Sequence, residues 1–236
     1  MKLGKLGIYT ELIQRYKGFT NSSSLVTTRP DGHRPALHKR EATDGFFIDD
    51  SQIDRVLDTK ILHVGGVGLM NRMDDAGRTE EVMAEAKRRG VITTLDVFTS
   101  TAADLPKVER LLPYTDYFIP SEEEARALSG LHDNRDRAQF LLNLGAGCVV
   151  LTLGAKGAFY LHRDGTEFYT PSFQIEVKCT CSCGDCFNVA LPPGCIWGGR
   201  QKNVSSWSRD PRRKTPLVWV VRLACSIWFE RGISLP

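Results

Sequence analysis

From residue 60 onward the apolar positions change their period in a regular way. Lys60 to Val64 is a short β-rich run ending at Gly65 and Gly66, and Glu80 to Arg89 is helix-forming and stops at Gly90. Val91 to Val97 then reads as a strand, Ala103 to Leu112 as a helix and Tyr117 to Ile119 as a strand. Ser121 to Ser129 reads as a helix with Ser121 in the N-cap position, because a hydroxyl there accepts a backbone N–H that the first turn leaves unpaired. Asp136 to Leu144 is a further helix, and Cys148 to Leu153 is the continuous apolar run of a parallel strand covered on both faces. Strands alternating with helices predict right-handed βαβ units: an α/β fold with a parallel sheet and helices on both faces.

Two places break the alternation. Ser23 to Thr28 and Arg34 to His38 flank Arg29-Pro30-Asp31-Gly32-His33, and Ala158 to Leu161 and Thr166 to Tyr169 flank His162-Arg163-Asp164-Gly165. Each pattern predicts a β-hairpin, since Asp-Gly supplies the turn conformations that join antiparallel strands. Phe173 to Val177 is extended, and Phe187 to Ala190 can open a helix directly after Gly184-Asp185. Beyond Ala190 no period persists through Pro192-Pro193-Gly194 and Gly198-Gly199.

Composition changes this picture at one end. A chain of 236 residues with 42% hydrophobic content can bury the core of one α/β domain or slightly more. No apolar run approaches the roughly 18–20 residues of a membrane span, and the N-terminus lacks a secretory apolar stretch, so a cytoplasmic protein without membrane attachment is expected. The net charge of +3 is uneven: residues 200–236 hold eight Lys or Arg against Asp210 and Glu230, which leaves the rest of the chain negative. All four tryptophans also lie in the last 40 residues. Such a discontinuity would follow from a reading-frame shift or a fusion near residue 190. The basic, Trp-bearing tail carries no recognisable nucleic-acid module, so nucleic acid is not expected as a partner.

Four of the seven cysteines crowd into Cys179-Thr180-Cys181-Ser182-Cys183-Gly184-Asp185-Cys186. Without His or a second cluster this is an incomplete zinc or iron–sulfur pattern, and the thiols are expected to be reduced. Small residues ahead of a helix let backbone N–H groups approach a phosphate, and a neighbouring carboxylate can accept a proton from an attacking hydroxyl. Taken alone, Gly184-Asp185 suits an ordinary turn with a solvated aspartate equally well. His63 reads as a core or edge histidine, Asp96 as a strand-terminal carboxylate that can face a site, and Glu122, Glu123 and Glu124 as charges favoured at a helix start.

The stretch from Cys179 to Asn188 resembles the second signature of the PfkB (ribokinase-like) carbohydrate kinases, Asp-Thr-Thr-Gly-Ala-Gly-Asp followed by a small residue, Phe and often Asn. Pro120-Ser121-Glu122-Glu123-Glu124-Ala125 with Leu128 and Gly130 is similar to the family's Pro-Asn-x-x-Glu-Ala helix. Leu151-Thr152-Leu153-Gly154-Ala155-Lys156-Gly157-Ala158 resembles its Thr-x-Gly-x-x-Gly turn, and the hairpin at about 20–40 resembles the lid over the sugar. The resemblance implies a ribokinase-like fold and ATP-dependent, Mg2+-assisted phosphorylation of a sugar or related alcohol. In that reading Asp185 deprotonates the hydroxyl, and the backbone N–H groups of Ser182, Cys183 and Gly184 form the anion hole. Glu124 acts through water on Mg2+, and Thr152, Gly154 and Gly157 line the nucleotide phosphates. The lid implies a homodimer.

Residues 1–190 would then be a partial kinase domain and 191–236 a divergent tail. The family pattern is entered at Leu6 to Thr10, a segment that normally follows a first part of the fold bearing glycine-rich sugar contacts and a sugar-binding aspartate. Cys179 stands where the family has Asp at a monovalent-cation site, Ser182 where it has Gly or Ala, and Ser121 where it has Asn. The other reading is a truncated or degenerate relative that does not turn over and at most binds nucleotide or a partner.

Overall fold

The computed structural model describes residues 9–15, 17–27, 36–98, 101–172, 182–188 and 191. The tip of the first hairpin, the extended run at 173–177, Cys179, Cys181 and the tail from residue 192 lie outside the described residues.

A small antiparallel sheet pairs β1 (Ser23–Val26) with β2 (Ala36–Lys39). Helices α1 (Ala42–Gly45) and α2 (Asp50–Val56) follow, neither of which the apolar pattern predicts. The main sheet is built from β3 (Ile61–Val67), β4 (Ile92–Val97), β5 (Tyr117–Phe118), β6 (Cys148–Thr152), β7 (Ala158–His162) and β8 (Glu167–Thr170), in that spatial order. Strands β3 to β6 run parallel, whereas β7 and β8 join antiparallel. The sheet is therefore mixed rather than wholly parallel. The hairpin around Asp164-Gly165 is short enough to turn the chain straight back, and parallel strands need a longer crossover.

The crossovers are α3 (Asn71–Asp75) and α4 (Arg78–Arg88), then α5 (Leu105–Glu109), then α6 (Glu122–Ser129) and α7 (Asn134–Asn143). In α4 the residues Thr79, Val82, Met83 and Ala86 are buried at helical spacing, and Gly90 ends the turn with a φ of 75°. The single helix expected over 103–112 is broken into a 3-10 turn (Ala102–Asp104), α5 and a second 3-10 turn (Leu112–Tyr114). Pro106 and Pro113 each sit in a first turn, where a missing N–H costs nothing, and so they start pieces of helix rather than interrupt one.

Alternation along the central strands divides the core between two faces. Phe118, Val149 and Leu151 pack with Met83, Val108, Ala125 and Leu141 under the crossover helices. Tyr117, Ile119, Cys148, Val150 and Tyr160 face the other way and are covered by Phe187 and Leu191. Those two belong to a helical stretch described at 183–188 and again at 191. Burying two such side chains contributes about 3–6 kcal/mol, enough to hold this stretch against the sheet.

Candidate functional site

Parallel α/β sheets collect ligands at the carboxyl ends of their strands, and this end of the sheet holds most of the predicted residues. Asp96 lies one residue from the end of β4, Thr152 ends β6, and α6 begins just after β5. Ser121 and Thr152 form a parallel bridge, and the Thr152 N–H donates to the Pro120 carbonyl at 3.0 Å. The start of α6 is thereby fixed against the end of β6.

Ser121 is the N-cap of α6, as expected. Its Oγ accepts from the Glu124 N–H at 3.2 Å, while Glu124 Oε2 accepts from the Ser121 N–H at 2.8 Å and from Ser121 Oγ at 2.7 Å. This reciprocal arrangement is a capping box, and it orients the Glu124 carboxylate.

Asp185 lies on the first turn of the 183–188 helix, closed by the Cys186 N–H donating to the Ser182 carbonyl at 3.0 Å. Ser182, Cys183, Gly184 and Asp185 are all exposed. The φ of Ser182 is 61°, so the position where the family carries Gly or Ala does require a left-handed backbone. Around Gly184, by contrast, an added Cβ would meet no atom of the described residues within 4 Å.

Electrostatics link Asp96, Glu124 and Asp185 at the end of β4. Burial pushes the Asp96 carboxyl up to about 7, and the negative charges of Glu124 and Asp185 add to the effect. Hydrogen bonds from the Val97 N–H and Asn188 act in the opposite direction without overcoming it. Asn188 Nδ2 donates to Asp96 Oδ2 at 2.6 Å across 92 positions of sequence, tying the helix of Asp185 to the end of β4. The Oδ1 of Asn188 is buried with no hydrogen-bond partner among the described residues. Sequence reading passes over Asn188 as a site residue; its signal is the spacing of three from Asp185, which puts both on one helix face.

His63 is paired through Nδ1 with Thr94 Oγ1 at 2.8 Å. Part of its ring meets solvent, yet the protein packed around the rest lowers its pKa, against the nearby charge of Asp185. Gly65 leaves room for that ring, since a Cβ there would lie 3.0 Å from Nε2.

Gly154 and Gly157 have φ values of 57° and 109°, and the turn they form is closed by Leu153 N–H to the Gly157 carbonyl at 2.8 Å. A Cβ on Gly157 would fall 1.9 Å from the Thr170 carbonyl oxygen. The close approach of β8 therefore accounts for this glycine without any ligand.

For a divalent metal, no three His, Cys, Asp or Glu side chains among the described residues converge closely enough to ligate it directly. The carboxylate of Glu124 is held in place by its cap.

Residues 1–194 match the model of the pfkB family carbohydrate kinases. The chain is 33% identical over 116 residues to the bifunctional ribokinase/ribose-5-phosphate isomerase A of Fructilactobacillus sanfranciscensis, covering 47% of this chain and 21% of that protein. It is 30% identical over 107 residues to the ribokinase of Staphylococcus aureus, covering 43% of this chain and 34% of that protein. It thus spans about a fifth to a third of the length of these two relatives. Among solved structures, the ribokinase of Giardia lamblia superposes with a TM-score of 0.69 at 16% identity, over 94% of this chain and 68% of that one. A ribokinase II of E. coli in complex with ATP and Mg2+ superposes with a TM-score of 0.64 at 20% identity, over 89% and 72%. The superpositions establish a ribokinase-like fold, and with a family model covering most of its length, this chain belongs to the pfkB family of carbohydrate kinases.

Proposed function

We propose that the chain supports ATP-dependent phosphorylation of a sugar or related alcohol, with Asp185 as the base. The observation that carries this reading is the Asn188–Asp96 hydrogen bond of 2.6 Å, which holds the Asp185 helix over the end of β4, where Asp96 also feels Glu124. A transferring phosphoryl group asks for little covalent chemistry and much positioning, and the carboxylates gathered at the end of β4 serve that positioning.

Asp185, exposed on its turn, accepts the proton of the attacking hydroxyl. The N–H groups of Ser182, Cys183 and Gly184 stabilise charge on the phosphoryl oxygens, and among the described residues none crowds Gly184 where those oxygens would approach. Thr152 and Gly154 border the nucleotide phosphates, and Gly157 keeps their turn in shape. Glu124 would hold the water shell of a Mg2+ ion, which when bound with ATP would supply neutralisation of phosphate charge. The exposed Leu25 and Leu37 of the small sheet support its pairing with a second copy over the sugar.

The test is a phosphotransferase assay over a panel of sugars and nucleosides with Mg-ATP. Asp185→Asn is expected to lower turnover by about a thousandfold while ATP binding is retained. Activity that survives the substitution removes Asp185 from the mechanism. Retained ATP binding with no turnover on any substrate establishes instead a non-catalytic relative.

A further inference from the structure

Within the cysteine-rich stretch, Cys183-Gly184-Asp185-Cys186 spaces two thiols three residues apart around Asp185. The phosphoryl-transfer reading makes no use of either side chain. Both residues lie on the closed turn described above, Cys183 exposed and Cys186 half-buried, and neither is in a disulfide.

Helix geometry puts Cα atoms three residues apart at about 5 Å, inside the roughly 4.4–6.8 Å that a disulfide spans. Their Cβ atoms, about 5–6 Å apart on a regular turn, must close to about 3.8 Å. Forming the bond therefore draws the two residues together by more than an ångström. The backbone that absorbs this movement is Gly184-Asp185, and no described residue stands within 4 Å of the place a Gly184 Cβ would take.

We propose that Cys183 and Cys186 are a thiol–disulfide exchange site whose oxidation reshapes the turn carrying Asp185. The co-reactant is a low-molecular-weight disulfide. Cys183 loses its proton, and its sulfur attacks one sulfur of the small disulfide, expelling one thiolate. Cys186, deprotonated in turn, attacks Cys183 Sγ in the mixed disulfide and expels the second. Two protein thiols are oxidised to one disulfide, the small disulfide is reduced to two thiols, and the two protons go to the expelled sulfurs. The exchange chemistry stands on the cysteine pair alone; its effect on turnover rests on the proposed role of Asp185.

The experiment equilibrates the full chain in mixtures of reduced and oxidised glutathione, quenches with acid, alkylates the remaining thiols and maps the peptides by mass spectrometry. The expected result is a Cys183–Cys186 link with loss of two hydrogens, reversed by dithiothreitol, and in Cys186→Ser a single glutathione adduct on Cys183. Both cysteines still alkylated in the most oxidising mixture, or linked only to Cys179 or Cys181, would overturn the site. With turnover as the second readout, oxidation is expected to lower it about a hundredfold, the scale of an ångström of misplacement at a reacting group. A mapped link that leaves turnover unchanged overturns the effect on catalysis. A reduced protein that never turns over counts against the Asp185 reading, while the mapped link still decides the exchange site.

Discussion

The turn at 153–157 and the turn at 182–185 both present backbone near the strand ends, and both resemble glycine-bearing family motifs, but they answer to different constraints. In the first, Gly157 is demanded by the protein itself, because the Thr170 carbonyl occupies the space a side chain would need. In the second, no described residue crowds Gly184, while the left-handed position two residues before it is filled by Ser182. A glycine that packing does not require points outward to whatever approaches the turn, and a non-glycine at positive φ marks a backbone held there by its surroundings.

The sharpest way to break this comparison is to add the same methyl group at both places. Gly157→Ala is expected to destabilise the fold by about 3 kcal/mol or more, lowering the melting temperature by roughly 10 °C, because strained φ and overlap with backbone act together. Calorimetry or dichroism on heating checks it. Gly184→Ala should leave the melting temperature within about 2 °C and lower turnover about a hundredfold, the scale of losing one anion-hole donor. Equal melting curves for both variants would erase the distinction between the turns.

A third expectation concerns Asp96 at the end of β4, beside the helix of Asp185. Asp96 holds its proton in the folded state up to about pH 7, far above the ordinary carboxylate value. Between those values the folded chain binds the proton more tightly than the unfolded chain, so stability from this group is present at acid pH and lost as pH rises to about 7. Asp96→Asn, which mimics the neutral acid, should change little at pH 4 and stabilise at pH 8 by about 2 kcal/mol, a figure kept low because Asp96 retains some solvent contact. Urea denaturation at the two pH values is the measurement, and a gain at pH 4 alone would reverse the assignment.

The smallest effect is expected at Ser182→Gly. Relief of a left-handed backbone, less the extra chain entropy of glycine, leaves about 0.5 kcal/mol of stabilisation in chemical denaturation. A loss of stability would mean that the serine side chain, and not the backbone, secures the turn.

Much of the fold was legible because it is written in local periods. The crossover helix α4, the N-cap at Ser121, the apolar strand β6 and the hairpin at Asp164-Gly165 all lie within a few residues of their expected bounds. The helix of 103–112 was misread because a propensity reading counts Pro106 as a residue of the helix, whereas its ring makes it a starting point. Short α2, with few apolar residues of its own, has its place through Leu57 and the neighbouring Met73, Val82 and Ala86, which no local pattern displays.

Sequence by itself therefore determined which residue types stand in the turns at 153–157 and 182–185, where the helices are capped, and which positions alternate into the sheet. Only the tertiary structure decided that Asn188 reaches Asp96, that Thr152 bridges to Ser121, and that Gly157 is forced by β8 while no described residue forces Gly184. Local patterns record the chain's near neighbours, whereas each of these contacts joins segments that only the closing of the sheet brings within a few ångströms.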